Sequence, residues 1–332
     1  MAVYEDWLMS KIEWTEKTWN PLAGCKEISP GCANCYAATM AKRLEAMGQE
    51  KYQGTTKTLP NGKVVWTGKI SLLDEEDDQF TAPLRRTKPT TYFVNSMSDL
   101  FHQDVPFEFV EKVFSVMHQT PHHTYQVLTK RPDRMAAFMN RPASEWTYSV
   151  MPISPSWPFS NVWLGTSVED QQRADERIPY LLAVPAKVRF LSIEPMLGPI
   201  NLMNHCFNCK EDKAHSVWTC CAGCDHPNHA ADEIQWVIVG GESGHSARLM
   251  QIEWARSLRD QCQAVGVAFH FKQHGGWCAF NQIPDESLQQ VELDRLPMLS
   301  IGENSYHRIG KKIAGRQLDG REWNELPGGM KS

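Results

Sequence analysis

No stretch of the 332-residue chain is apolar for long enough to cross a membrane. Its first residues, Met1-Ala2-Val3-Tyr4-Glu5-Asp6, lack the basic and apolar regions of a secretion signal. A cytoplasmic protein with no membrane partner is therefore expected. Charge of one sign is also scarce: 34 Lys and Arg face 39 Asp and Glu, for a formal net charge of −5. No overall field draws the chain to nucleic acid, and none forbids a local basic groove. No His pair or His–carboxylate set has catalytic zinc spacing, which leaves a hydrolase built on strand-end carboxylates with His102 or His274 as the weakest reading. In a reducing compartment ten cysteines are not a disulfide framework, and eight of them fall into two tight groups, which points to metal. At 42% hydrophobic the chain has enough core for one barrel-sized α/β domain with insertions, or for two ordinary domains.

The first group is Cys25, Cys32 and Cys35, spaced C-x6-C-x2-C between a strand-like and a helix-like run. Three thiolates on one loop hold three corners of a [4Fe–4S] cube and leave the fourth iron open to a small molecule. Gly24, Pro30 and Gly31 let the chain curl, and Ala33 does not crowd a bulky cluster. A zinc knuckle with a borrowed fourth ligand, or three buried cysteines, are the other readings of the same residues.

Residues 12–20 read as a first strand and residues 35–47 as a helix carrying Tyr36, Met40, Leu44 and Met47 at spacings of three and four. Asn61-Gly62 between two β-like runs predicts a hairpin insertion over 50–72, and the acidic residues 74–78 read as a solvated helix start. From residue 90, apolar strands over 91–95, 125–129, 161–165, 188–192, 235–239 and 267–271 alternate with helical patterns, one over 107–119 and another that Asp133 would cap. This alternation predicts an α/β fold with a parallel sheet, of the partial TIM-type (β/α)6 barrel kind, over 1–275, followed by a C-terminal extension over 276–332. Asp99, Glu169, Glu194 and Glu242 each stand just past a strand, among Ser, Thr and Gly. Parallel barrels build their sites at that rim, so a shared pocket is expected, although each carboxylate alone also suits a helix cap. Lys130 and Arg131 beside them fit phosphate or carboxylate, or pair with the rim carboxylates. Trp14 and Trp19 suit barrel packing better than base stacking.

The second group, Cys206, Cys209, Cys221 and Cys224, has the spacing of a four-thiolate zinc ribbon within an insertion over 203–231. Cys220, His205, His226 and His229 keep the ligand set open. Cys262 reads as core, and Cys278 is assigned no role.

A three-cysteine loop after the first strand of a parallel β/α series resembles the radical S-adenosylmethionine superfamily. More closely, Thr18-Trp19-Asn20-Pro21-Leu22-Ala23-Gly24-Cys25, the runs 95–102, 128–132 and 166–170, Ser192-Ile193-Glu194-Pro195 and Gly240-Gly241-Glu242-Ser243-Gly244 resemble the three-Cys-motif phage protein family. The resemblance implies a [4Fe–4S] cluster on Cys25, Cys32 and Cys35, binding S-adenosyl-L-methionine and cleaving it to a 5′-deoxyadenosyl radical. It places Ser96, Ser98 and Asp99 near the methionine amino group, Thr166, Ser167 and Glu169 near ribose and carboxylate, and Glu194, Gly240, Gly241 and Glu242 along later strand ends. It also implies a reductant such as flavodoxin or ferredoxin, a possible partner protein, and, with the ribbon, a nucleobase, nucleoside or nucleic-acid substrate. The chain departs from the superfamily in its first gap of six, in Asn34 where an aromatic is usual, and in having no Gly-Gly-Glu after the second strand. The rival from another class is a non-catalytic zinc adaptor for nucleic acid or protein.

Overall fold

The computed structural model describes residues 12–146, 158–203, 234–289 and 291–329. Cys206, Cys209, Cys220, Cys221 and Cys224, with His205, His226 and His229, lie outside the described residues, and so does the ribbon expected on them.

Seven strands make the principal sheet: β1 Lys17–Trp19, β2 Thr91–Val94, β3 Thr124–Thr129, β4 Val162–Ser167, β5 Val188–Ile193, β6 Trp236–Gly240 and β7 Ala268–Gln273. They follow one another in chain order. The pairs β1/β2, β2/β3, β3/β4, β5/β6 and β6/β7 are parallel. Helices follow β1, β2, β3, β4 and β6: α1 Tyr36–Ala46, α2 Phe107–Gln119, α3 Pro132–Met139, α4 Gln171–Leu182 and α5 Ile252–Val265. Chain-order parallel neighbours are the order of singly wound β/α barrels, so the expected fold class is met. Strands β4, β5 and β6 are buried at every position, as sheets covered on both faces require.

The chain forms two compact units, one of residues up to Thr166 with Tyr180–Arg189, the other of Ser167–Pro179 with Phe190–Ser332. In the first, Trp19 packs against Phe80 and Tyr125, and Phe138 gathers Phe101 and Phe114. Helix α2 buries Phe109, Val110, Val113, Phe114 and Met117, the stripe its spacing predicts. Around Asn61-Gly62, Thr56–Thr58 pairs antiparallel with Val64–Trp66, the expected hairpin.

Several local expectations are corrected. The first strand is only Lys17–Trp19, because Thr15 N–H turns back to Ile12 O. Residues 74–78 form turns ahead of a one-turn helix, Ala82–Arg85. Arg131, not Asp133, is the N-cap residue of α3. On α1 Tyr36 is 60% exposed and Met40 is exposed too, while Leu44 packs partly buried with Ala37, Ala38 and Ala41 against Tyr52, Trp66 and Met97; Met47, 62% exposed, stands at the C-cap. Alanines on that face leave room for the bulky hairpin rings to seat against the helix.

In the second unit Phe190 and Trp236 touch, and α5 buries Ile252, Ala255, Leu258 and, as expected, Cys262. Cys278 packs with Ile283, Ile309 and Ala314. The C-terminal residues add an antiparallel sheet of Cys278–Ala279, Asn304–His307 and Met298–Ile301, and then run back along β7, where Phe271 N–H bonds Trp323 O and Glu325 N–H bonds Phe269 O.

Among the buried histidines of this unit are His270 and His274. Among the described residues neither ring nitrogen of His270 has a hydrogen-bond partner, and burial pushes its pKa down to about 3. Burial pushes His274 down to about 4, and its Nε2 lies 2.7 Å from Gln317 O. Both stay neutral in the folded protein while the unfolded chain takes up protons near pH 6.5. The unfolded state then binds more protons, so stability falls as pH drops from about 6.5 toward 4, by about 1.4 kcal/mol per pH unit per group. Urea unfolding at pH 7 and pH 5 measures this, and His270→Leu is expected to make the dependence shallower.

Candidate metal centre

The end of β1 leads into the cysteine loop. Leu22–Ala23 pairs antiparallel with Ser71–Leu72, and Gly24 then turns with φ +94°. A Cβ on Gly24 would lie 2.0 Å from Lys69 O, so this close approach requires glycine. Pro30–Cys32 forms a 3₁₀ turn, with Cys32 N–H on Ser29 O and Cys35 N–H on Cys32 O, and Cys35 stands at the N-cap of α1.

All three cysteines are free and half-buried. Burial is the main cause that pushes the Cys25 thiol up to about 12; Asp99, Cys35 and Cys32 add to it and Arg131 opposes it. Three cysteines on one short loop are a soft donor set, which suits a metal group. Among the described residues no three His, Cys, Asp or Glu side chains converge to hold a metal ion.

The loop after β2 is laced to the cysteine loop. Ser96 Oγ and Met97 N–H donate to Asn20 Oδ1, Ser98 Oγ donates to Leu22 O, and Ser98 forms a parallel bridge with Gly24. Asp99 is buried and fully engaged. Its Oδ1 accepts from Phe101 N–H and Thr129 Oγ1, and its Oδ2 from Lys130 N–H and Arg131 Nη1 at 2.8 Å. Arg131 Nη2 reaches Lys26 O at 3.0 Å, so the pair ties β3 and the loop after β2 to the residue following Cys25. Of the two roles open to Arg131, the structure has the pairing with a rim carboxylate. His102 accepts Asp104 N–H on Nδ1, and burial, followed by the charge of Arg131, holds it below its usual range.

Thr166 lies inside β4 rather than after it, its Oγ1 bonded to Thr129 O. In the second unit Ser167 O accepts from Arg177, which also pairs with fully buried Glu169 at 3.1 Å. Glu194 pairs with Lys272 at 3.2 Å and lies over Gly240, where a Cβ would meet Glu194 Oε1 at 2.5 Å. A Cβ on Gly241 would lie 1.9 Å from His274 O. Glu242 is forked to Arg248, and its Oε2 also accepts Arg248 N–H. Every strand-end carboxylate thus has a cation of its own. The carboxylates a zinc hydrolase would use are each paired with a cation.

Sequence reasoning missed Asn95. It is 3% exposed, adopts φ 61°, and among the described residues neither atom of its side-chain amide has a hydrogen-bond partner. An asparagine ending a strand before Ser-Met-Ser-Asp was the available signal, since asparagine tolerates the left-handed region.

Residues 9–327 match a family model described as "Protein of unknown function (DUF5131)". No curated protein matches the chain. Among solved structures it is similar to spore photoproduct lyase complexed with dinucleoside spore photoproduct, with 12% identity, 90% of this chain and 70% of that one covered, and a TM-score of 0.38. A cysteine-to-alanine variant of that lyase with the same dinucleoside gives 12%, the same coverages and 0.40. A double variant with bound AdoMet and the dinucleoside gives 11%, 89% and 69%, and 0.35. TM-scores this low do not establish a shared activity. Among the described residues no helix is long and apolar enough to cross a membrane.

Gly24→Ala is expected to lower stability by more than Gly68→Ala. Both residues have φ near +90°, but a Cβ on Gly68 meets nothing within 4 Å. Left-handed strain of about 1–2 kcal/mol is common to the two, and the clash with Lys69 O adds to it only at Gly24. Their urea unfolding midpoints, compared side by side, measure the difference.

Proposed function

We propose that this chain, which belongs to the DUF5131 family of unknown function, is a radical S-adenosylmethionine enzyme. The observation that carries the reading is the set of three free thiols, Cys25, Cys32 and Cys35, on one loop at the end of β1, with Cys35 at the start of α1. Three protein ligands leave one iron of a [4Fe–4S] cluster open. With S-adenosylmethionine bound there, such a cluster supplies the electron that cleaves the sulfonium to methionine and a 5′-deoxyadenosyl radical, which takes a hydrogen atom from substrate.

The chain's own residues hold and shape the loop. Gly24 makes the turn, Ser96 and Ser98 lace the neighbouring loop to it, and Asp99 and Arg131 anchor the backbone beside Cys25. With Ser96, Ser98 and Asp99 engaged in these bonds, Asn95 is the polar side chain of that loop best able to receive a bound cofactor or substrate. The resemblance and the second cysteine group support a nucleobase, nucleoside or nucleic-acid substrate, a low-potential reductant of the flavodoxin or ferredoxin kind, and a structural zinc on Cys206, Cys209, Cys221 and Cys224.

Protein purified without oxygen and reconstituted with iron and sulfide is expected to hold about four cluster irons. The Cys25→Ala, Cys32→Ala, Cys35→Ala triple variant should lose them and keep its zinc. With dithionite and S-adenosylmethionine the intact protein should release 5′-deoxyadenosine, read by chromatography. Zinc alone, dropping when the three cysteines go, would overturn the enzyme reading in favour of a zinc-binding adaptor.

A further inference from the structure

We propose that Arg131, aimed by Asp99, is a positioning residue that sets the reduction potential of the metal centre through the Cys25 sulfur. The inference rests on the cluster reading above and concerns how this chain tunes it.

The geometry converges on one oxygen. Lys26 O lies 3.7 Å from Cys25 Sγ and accepts Arg131 Nη2 at 3.0 Å. The thiol and the guanidinium therefore share a single acceptor, which places the positive charge beside the sulfur. Once Cys25 gives up its proton to bind metal, it no longer donates to Lys26 O, and Arg131 remains as the N–H donor and fixed positive charge on that side. The guanidinium has little freedom to turn away. Nη1 is held by Asp99 Oδ2 at 2.8 Å, Asp99 is itself held by Thr129 Oγ1 at 2.7 Å, and Arg131 N–H bonds Thr129 Oγ1 at 2.9 Å. Only about a tenth of either side chain is exposed, so solvent screens the pair weakly.

The two charges act in opposite directions. Adding an electron makes the cluster more negative, which a neighbouring guanidinium favours and a neighbouring carboxylate opposes. Hydrogen bonds to cluster sulfurs and nearby net charge are recognised determinants of such potentials. Removing the cation should lower the potential, and neutralising the carboxylate while keeping the cation should raise it.

The test is a redox titration of the full-length protein reconstituted with iron and sulfide, following the electron paramagnetic resonance signal of the reduced cluster. Arg131→Gln is expected to make reduction about tenfold less favourable, which for a one-electron couple is 59 mV lower. Asp99→Asn should move the potential the other way, and Arg131→Lys, which keeps the charge, should stay nearer the parent protein. A merely structural role predicts no such opposition, since loosening the loop from either side would shift both variants alike. Arg131→Gln holding a full complement of iron at an unchanged potential would overturn the proposal, as would Arg131→Gln and Asp99→Asn moving together. Should Arg131→Gln fail to hold iron, Asp99→Asn and Arg131→Lys carry the same comparison. A parent protein that takes up no iron overturns the cluster reading itself, which is a different outcome from a cluster whose potential ignores Arg131.

Discussion

The buried ion pair between Asp99 and Arg131 is the interaction on which the cysteine loop depends. A carboxylate and a guanidinium removed from water cost several kcal/mol each unless every polar atom finds a partner. Here Asp99 accepts four hydrogen bonds, from Phe101, Thr129, Lys130 and Arg131, and Arg131 spends its second arm on Lys26 O. The partners come from the loops after β1, β2 and β3, so the pair cannot form until those strand ends are side by side. Loss of one member would leave the other buried and uncompensated, and the backbone beside Cys25 without its anchor.

The same arrangement recurs in the second unit, where Glu169, Glu194 and Glu242 are each matched by a cation: Arg177, Lys272 and Arg248. Acidic residues at the ends of parallel strands would repel one another and any bound anion if left bare. Pairing each locally removes net charge while keeping oriented dipoles and donors. Acidic strand ends in this chain are therefore not free metal ligands, and the soft sulfur donors of the cysteine loop are the better match for a metal group among the described residues.

Much of the architecture was legible. Apolar runs punctuated by turn residues located the strands from residue 90 onward, Asn61-Gly62 located the hairpin, and the stripe from Phe109 to Met117 located α2. The first strand was overextended because Ile12 to Glu16 alternate as a strand does, while the backbone turns there to bring Thr15 onto Ile12. Which face of α1 is buried could not be read from its spacing. Tyr36, Met40 and Met47 have helical spacing, but the neighbour on that helix is a hairpin whose bulky rings seat against alanines.

By itself the sequence determined the three-cysteine loop, the alternation of strands and helices, and the carboxylates at strand ends. These are local, set by spacing, propensity and turn chemistry within a few residues. Only the tertiary structure decided what those groups touch: Arg131 on Asp99 and Lys26, Lys272 on Glu194, Lys69 O against Gly24, and Asn95 left without a partner among the described residues. Such contacts join residues tens of positions apart, and many lysines and arginines could equally satisfy a given carboxylate on paper. The choice among them is made by which strand ends the parallel sheet brings together, and no short-range pattern encodes it.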